Sequence, residues 1–117
     1  EASTSAMGLL VSLGFALAAA RGRSIDAALA AGFASLPDRL DALASALDGA
    51  MRAAAEDLAR ASVVFFTGLG PNLATANFGA AKVRELCPVH AMAIPLEEIH
   101  HYRLPKRGDA LVIVATD

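Results

Sequence analysis

Two glycines with the spacing of an anion-binding turn follow a short apolar run. Residues 63–66 carry no charge, and Gly68-Leu69-Gly70 follows them after the single residue Thr67. Backbone amides in such a turn, together with the positive end of a following helix, can hold an anion such as a sugar phosphate. The alternative is a tight strand-to-helix turn without a ligand. Neither the third glycine of the dinucleotide fingerprint nor the Gly-Lys-Ser/Thr of a Walker loop is present.

A cation and a carboxylate share one face of the helix expected after this turn. Phe78, Lys82 and Glu85 are spaced i, i+4 and i+7, which places all three on the same side. The default interpretation is a solvated ion pair that contributes roughly a few tenths of a kcal/mol. The functional interpretation is that Lys82 and Glu85 project together over the rim of a sheet.

All three histidines follow this helix. His100 and His101 come after Glu97 and Glu98 in one short turn, and His90 opens the preceding strand. No His-x-x-x-His spacing occurs, and we expect no metal site. His90 is interpreted as a core or edge residue.

The elements that must position these residues alternate in type. Uncharged runs predict strands at 63–66, 89–94 and 111–114. A helix is predicted over 72–87, and a short helical turn over 96–101. The order strand, glycine turn, helix, strand, helix, strand predicts an α/β fold with a parallel sheet.

The first half of the chain is predicted to be helical. Helices are expected over 4–21, over 24–34 and from Pro37 onwards, the last with apolar residues at intervals of four and three. Ser24 is a candidate N-cap of the second helix. Ser35-x-x-Asp38 resembles a capping box for the third.

An uncharged stretch over residues 2–20 raises the question of a membrane. It is close to the length of a spanning helix, but Ser, Thr and Gly residues dilute it. No basic residue precedes it, as one would in a signal peptide. We expect a buried helix of a soluble protein, and a membrane or export segment is the alternative.

Composition limits the remaining classes. The chain has 117 residues, a net charge of −2 and one cysteine, Cys87. A single cysteine rules out a disulfide scaffold and fits a reducing compartment, and the near-neutral charge argues against a nucleic-acid surface. The first and last residues, Glu1 and Asp117, suggest an excerpt of a larger protein.

The motifs together resemble the sugar-isomerase (SIS) domain family. The similarity is to the second lobe of the isomerase half of glucosamine-6-phosphate synthases, and Ala2-Ser3-Thr4 is similar to the segment that closes the first lobe. The matching segments are Gly68-Leu69-Gly70, residues 78–86, residues 89–93 and Glu98-Ile99-His100-His101.

The resemblance implies a three-layer αβα fold and a role for each motif residue. Glu85 would be the general base that moves a proton between C1 and C2 of an open-chain sugar, and Lys82 would help to hold the reacting centre. His101 would assist ring opening across a dimer interface. The implied substrate-binding residues are Ser3, Gly68, Gly70 and Asn72. Aldose–ketose interconversion needs a carboxylate base, a cation near the developing charge and an imidazole to shuttle hydroxyl protons.

Three departures point away from the synthase itself. Phe78 stands where the family has a Glu, Ser5 replaces a Lys, and Tyr102-Arg103 replaces Gly-Pro after His101. The departures suggest a relative that acts on another phosphosugar or amino sugar.

The resemblance implies a cytoplasmic aldose–ketose isomerase, or a related sugar-phosphate deaminase or deglycase. It would be a homodimer that acts on a phosphorylated sugar or amino sugar, without a cofactor, nucleic acid or membrane partner. Residues 1–36 would end a first lobe, 37–61 would form a connecting helix, and 62–117 would begin a second lobe of a double-SIS protein. The alternative is a non-catalytic module that senses a phosphosugar in a regulator.

Overall fold

The computed structural model describes residues 2–116, which fall into two compact units that divide after Leu47. Most of the predicted elements are present with bounds shifted by one or two residues, but the second helix begins at Ala27 instead of residue 24. The elements in chain order are α1 (Ala2–Ala20), α2 (Ala27–Ala34), α3 (Leu36–Leu58), β1 (Val63–Gly68), α4 (Pro71–Leu86), β2 (His90–Pro95), a 3-10 turn (Leu96–Glu98), α5 (Ile99–Tyr102) and β3 (Ala110–Val114).

The starts of α2 and α3 differ from the predicted ones. Asp26, not Ser24, is the N-cap of α2, because its carboxylate accepts a hydrogen bond from the Leu29 N–H at 2.9 Å. The Ser35-x-x-Asp38 capping box does not form. Ser35 is the one residue between α2 and α3, and its hydroxyl donates to the Gly32 carbonyl at 3.1 Å. Its side chain therefore serves the end of α2.

The apolar helix α1 is largely exposed within the first unit. Leu9 is 71% exposed, and Leu10 and Leu13 are similarly open. Phe15 packs edge-to-face on Phe33 of α2, with ring centroids 5.4 Å apart. The expected burial is not found among the described residues, since no residue of Ser3–Ala20 is buried.

The same helix bears on the membrane question. Residues Ser3–Ala20 are long and apolar enough to cross a membrane, by length and composition alone. Core helices of soluble proteins and signal sequences have the same properties. The helix therefore does not by itself favour a membrane location.

The second unit contains a three-stranded parallel sheet with the strand order β2-β1-β3. Val64 of the central strand pairs with Ala91 of β2 and with Ala110 of β3. The sheet and the helix that joins β1 to β2 confirm the predicted α/β class. They are consistent with a three-layer fold.

The core of this unit lies between α4 and the sheet. Val64, Ala80 and Ala91 are buried together, and Val83 and Val112 pack against them. The small residues of α4 let the helix approach the sheet closely. At Gly79 an added Cβ would lie 3.0 Å from the ring of Phe66. α4 therefore packs closely against β1.

The opposite face of the sheet is apolar and partly open. Side chains alternate along a strand, so Phe65 and Thr67 point away from α4, and both are buried. The Thr67 hydroxyl has no hydrogen-bond partner among residues 2–116. On the neighbouring strands, Met92 is paired with Phe65 and Ile113 with Thr67, and both are exposed.

A side chain at Gly68 would collide with the first turn of α4. An added Cβ would lie 2.7 Å from the carbonyl carbon of Asn72 and 2.8 Å from its oxygen. We expect Gly68→Ala to lower the free energy of unfolding by about 1–3 kcal/mol, because backbone has to move. Gly49→Ala in α3 is the matched control: nothing lies within 4 Å of that position, and a gain of up to about 1 kcal/mol is expected there. Denaturant unfolding of both variants measures the difference, and equal effects would contradict the close approach.

Candidate active site

The two ends of α4 lie at opposite ends of the strands. Its start lies at the carboxyl edge of the sheet, where the strands finish, and its end lies at the amino edge, where they begin. A helix that joins two parallel strands must run back antiparallel to them. Accordingly, its first turn contacts Gly68 at the carboxyl end of β1. Near its last turn, Arg84 Nη1 donates to the Ala91 carbonyl at the amino end of β2, at 3.0 Å. At 1.5 Å per residue, Asn72 and Glu85 are about 20 Å apart along the helix.

The glycine turn lies at the carboxyl edge. Gly70 is the N-cap of α4 with φ 56°, a left-handed conformation that favours glycine. No side chain caps this helix end, and Pro71 brings no N–H. The N–H groups of Asn72 and Leu73 donate to the carbonyls of Leu69 and Gly70, both at 3.1 Å. An anion at this turn would have to share those donors.

Thr116 joins this edge, although sequence reasoning did not single it out. Its Oγ1 lies 3.2 Å from Asn72 Oδ1, so the chain leaving β3 is tied to the first turn of α4. The two residues are 44 positions apart. The sequence could have indicated this contact only through the fact that both residues follow strands, β1 and β3, which are neighbours in the parallel sheet.

Lys82 and Glu85, to which the resemblance assigns catalytic roles, lie near the other end of α4. Lys82 Nζ is 2.5 Å from Glu85 Oε2, and the two side chains are 39% and 59% exposed. The ammonium also lies 5.5 Å from the centroid of the Phe78 ring. The structure therefore brings the three predicted face residues together as ring, cation and carboxylate.

His90 lies at the amino edge of the sheet, as Lys82 and Glu85 do. It begins the outer strand β2 and is exposed. With Arg84 and Val63 it lines a cleft of about 330 Å³. Neither Lys82 nor Glu85 lines that cleft.

His101 is exposed on α5, separate from the pair. Its ring lies against that of His100, with centroids 3.9 Å apart. In the described part of the chain it forms no hydrogen bond with Lys82 or Glu85. Both histidines stand three residues after a glutamate, yet residues 2–116 contain no group of three His, Cys, Asp or Glu side chains placed to hold a metal ion.

Ser3 belongs to the other unit. It is the second residue of α1 and is half-buried there. Of the predicted site residues, the structure thus pairs Lys82 with Glu85 and brings Gly68 against Asn72.

Parallel sheet, connecting helix and motif order together define an α/β segment consistent with a sugar-isomerase (SIS) domain. Two named relatives agree with this class. The chain is 36% identical, over 97% of its length, to the glutamine–fructose-6-phosphate aminotransferase (isomerizing) of Caulobacter vibrioides. It is 34% identical, over 67% of its length, to the enzyme of that name from Sulfurisphaera tokodaii.

These relationships confirm the resemblance predicted from the motifs. The chain is related to a segment of the isomerizing glutamine–fructose-6-phosphate aminotransferases, and it spans 19% and 14% of the length of the two relatives. No family model matches it, and no solved structure matches it significantly.

Proposed function

We propose that this chain carries part of the active site of a phosphosugar isomerase, or of a related sugar-phosphate deaminase or deglycase. The observation that carries the proposal is the contact between Lys82 Nζ and Glu85 Oε2 on one exposed helix face, at motif positions of a chain related to isomerizing aminotransferases. The names of both relatives include a sugar phosphate, fructose 6-phosphate.

The proposed chemistry assigns one task to each side chain. Glu85 removes a proton next to the carbonyl of the open-chain sugar and returns it to the neighbouring carbon. The Lys82 ammonium stabilises the negative charge that develops on oxygen as the proton leaves. His101 transfers the hydroxyl proton during ring opening.

The resemblance implies that His101 acts in a site shared between two copies. Within the described residues it makes no hydrogen bond with either partner of the catalytic pair. A homodimer in which His101 of one copy faces Glu85 of the other would unite the three groups. This arrangement is part of the proposal.

The predicted site residues of the second unit lie at two separate places. About 20 Å of helix separates Asn72 from Glu85, which is much longer than one hexose phosphate. The chemistry is therefore proposed for the Lys82–Glu85 end. Gly68, Gly70 and Asn72 are proposed as an anion-binding element at the carboxyl edge, and Ser3 is proposed as a substrate-binding residue of the first unit.

The domain division is likewise proposed. Residues 1–36 end one lobe, 37–61 connect, and 62–117 begin the next lobe. A cytoplasmic location is part of the same proposal.

Ligand-induced stabilisation tests the substrate class. A sugar phosphate at a hundred times its Kd should stabilise the full-length protein by about 2.7 kcal/mol, because it binds only the native state. We expect thermal unfolding to shift upwards with an aldose, ketose or amino-sugar phosphate. Inorganic phosphate and the unphosphorylated sugars are the controls. A panel of sugar phosphates that all act like inorganic phosphate would contradict the proposal.

A further inference from the structure

Phe78 lies beside the proposed catalytic pair, and no step of the proposed reaction uses it. We infer that Phe78 is a positioning residue, whose ring keeps the Lys82 ammonium in place next to Glu85. This inference rests on the proposed function for its catalytic consequence. Its geometric part can be tested without any turnover.

The geometry places the ammonium between two attractive groups on one helix face. Lys82 Nζ is 5.5 Å from the Phe78 ring centroid and 2.5 Å from Glu85 Oε2. Phe78 precedes Lys82 by four residues and Glu85 follows it by three, so the ring and the carboxylate flank the cation along the helix. No aliphatic side chain at position 78 could replace the ring, because the attraction comes from the ring quadrupole.

Exposure explains why a second anchor matters. The Lys82 side chain is 39% exposed and that of Glu85 is 59% exposed, so water weakens the ion pair and competes for both groups. A cation–π contact at an exposed site favours the bound rotamer by about two- to five-fold. The ring therefore raises the fraction of molecules in which Lys82 is already positioned for reaction.

The same contact matters when substrate arrives. To stabilise charge on a substrate oxygen, the ammonium must give up part of its bond to Glu85, which frees the carboxylate to act as a base. The Phe78 ring then still attracts the cation, so Lys82 stays on the catalytic face. A Glu at this position, as the family pattern has it, would instead compete with Glu85 for the same cation.

Spectroscopy of the full-length protein tests the contact directly. With ¹³C-labelled lysine, the Lys82 ε-methylene signal, assigned through Lys82→Arg, should show a ring-current shift. Phe78→Leu should remove this shift and Phe78→Trp should retain it. An unchanged signal in Phe78→Leu would overturn the inference whether or not the protein has the proposed activity.

Kinetics test the consequence. Phe78→Leu should lower kcat for sugar-phosphate interconversion by about two- to five-fold with little change in KM. Phe78→Trp, which keeps an aromatic ring, should retain the wild-type kcat. An unchanged kcat in Phe78→Leu, in a protein that Glu85→Gln inactivates, would overturn the inference and leave the proposed function standing. Since Phe78 is 49% exposed, these substitutions leave the core intact.

Discussion

Glu85→Gln in the full-length protein is expected to lower the rate of sugar-phosphate interconversion by about 10²–10⁴-fold, the usual contribution of a positioned general base. The amide keeps the shape of the side chain but cannot accept a proton. The substitution also replaces the Lys82–Glu85 ion pair with a neutral contact. That pair is exposed, so its loss should cost less than about 1 kcal/mol of stability. The variant is therefore expected to lose most of its activity while it remains folded.

Deuterium exchange measures the effect at the reacting carbon. In D₂O, a base that moves the proton through an enediol exchanges it with solvent, so NMR of the sugar phosphate should show loss of the proton at C1 or C2. Glu56→Gln is the matched control, because Glu56 is an exposed glutamate on another helix, α3. Undiminished exchange in Glu85→Gln would show that another group is the base.

A mixture of two inactive variants is expected to recover about a quarter of the wild-type activity. In a two-fold symmetric dimer, a copy with Glu85→Gln still offers His101, and a copy with His101→Ala still offers Glu85. Each hybrid dimer then holds one complete site and one site lacking both groups. Random exchange makes about half of the dimers hybrid, so about one site in four is complete.

The outcome depends on where His101 acts. If His101 serves the Glu85 of its own chain, every site in the mixture lacks one group and the activity stays at the sum of the separate variants. Mixing after partial unfolding and refolding allows the copies to exchange. The untreated mixture of folded variants is the control.

The sequence by itself predicted the local features of the second unit. The strands β1, β2 and β3 were predicted from short uncharged runs, and α4 from the helix expected over 72–87. The shared face of Phe78, Lys82 and Glu85 follows from helical periodicity alone. These properties depend on residues close together in the chain, and the structure has each of them.

Helix caps were less predictable from the sequence. Several residues near each helix start could supply an oxygen, and the backbone geometry selected Asp26 over Ser24. Ser35 serves α2 because α3 begins one residue later, at Leu36. The sequence shows which Ser and Asp residues could cap a helix, but it does not decide which of them forms the hydrogen bond.

Only the tertiary structure decided which distant residues meet. The strand order β2-β1-β3 makes β1 and β3 neighbours, which brings Thr116 to Asn72. The seating of α4 on the sheet places the glycine turn and the Lys82–Glu85 pair at opposite edges, although both motifs belong to one resemblance. Periodicity determines the face of a helix on which a residue lies. The position of that face relative to the rest of the molecule depends on packing between segments far apart in sequence, as at Val64, Ala80 and Ala91.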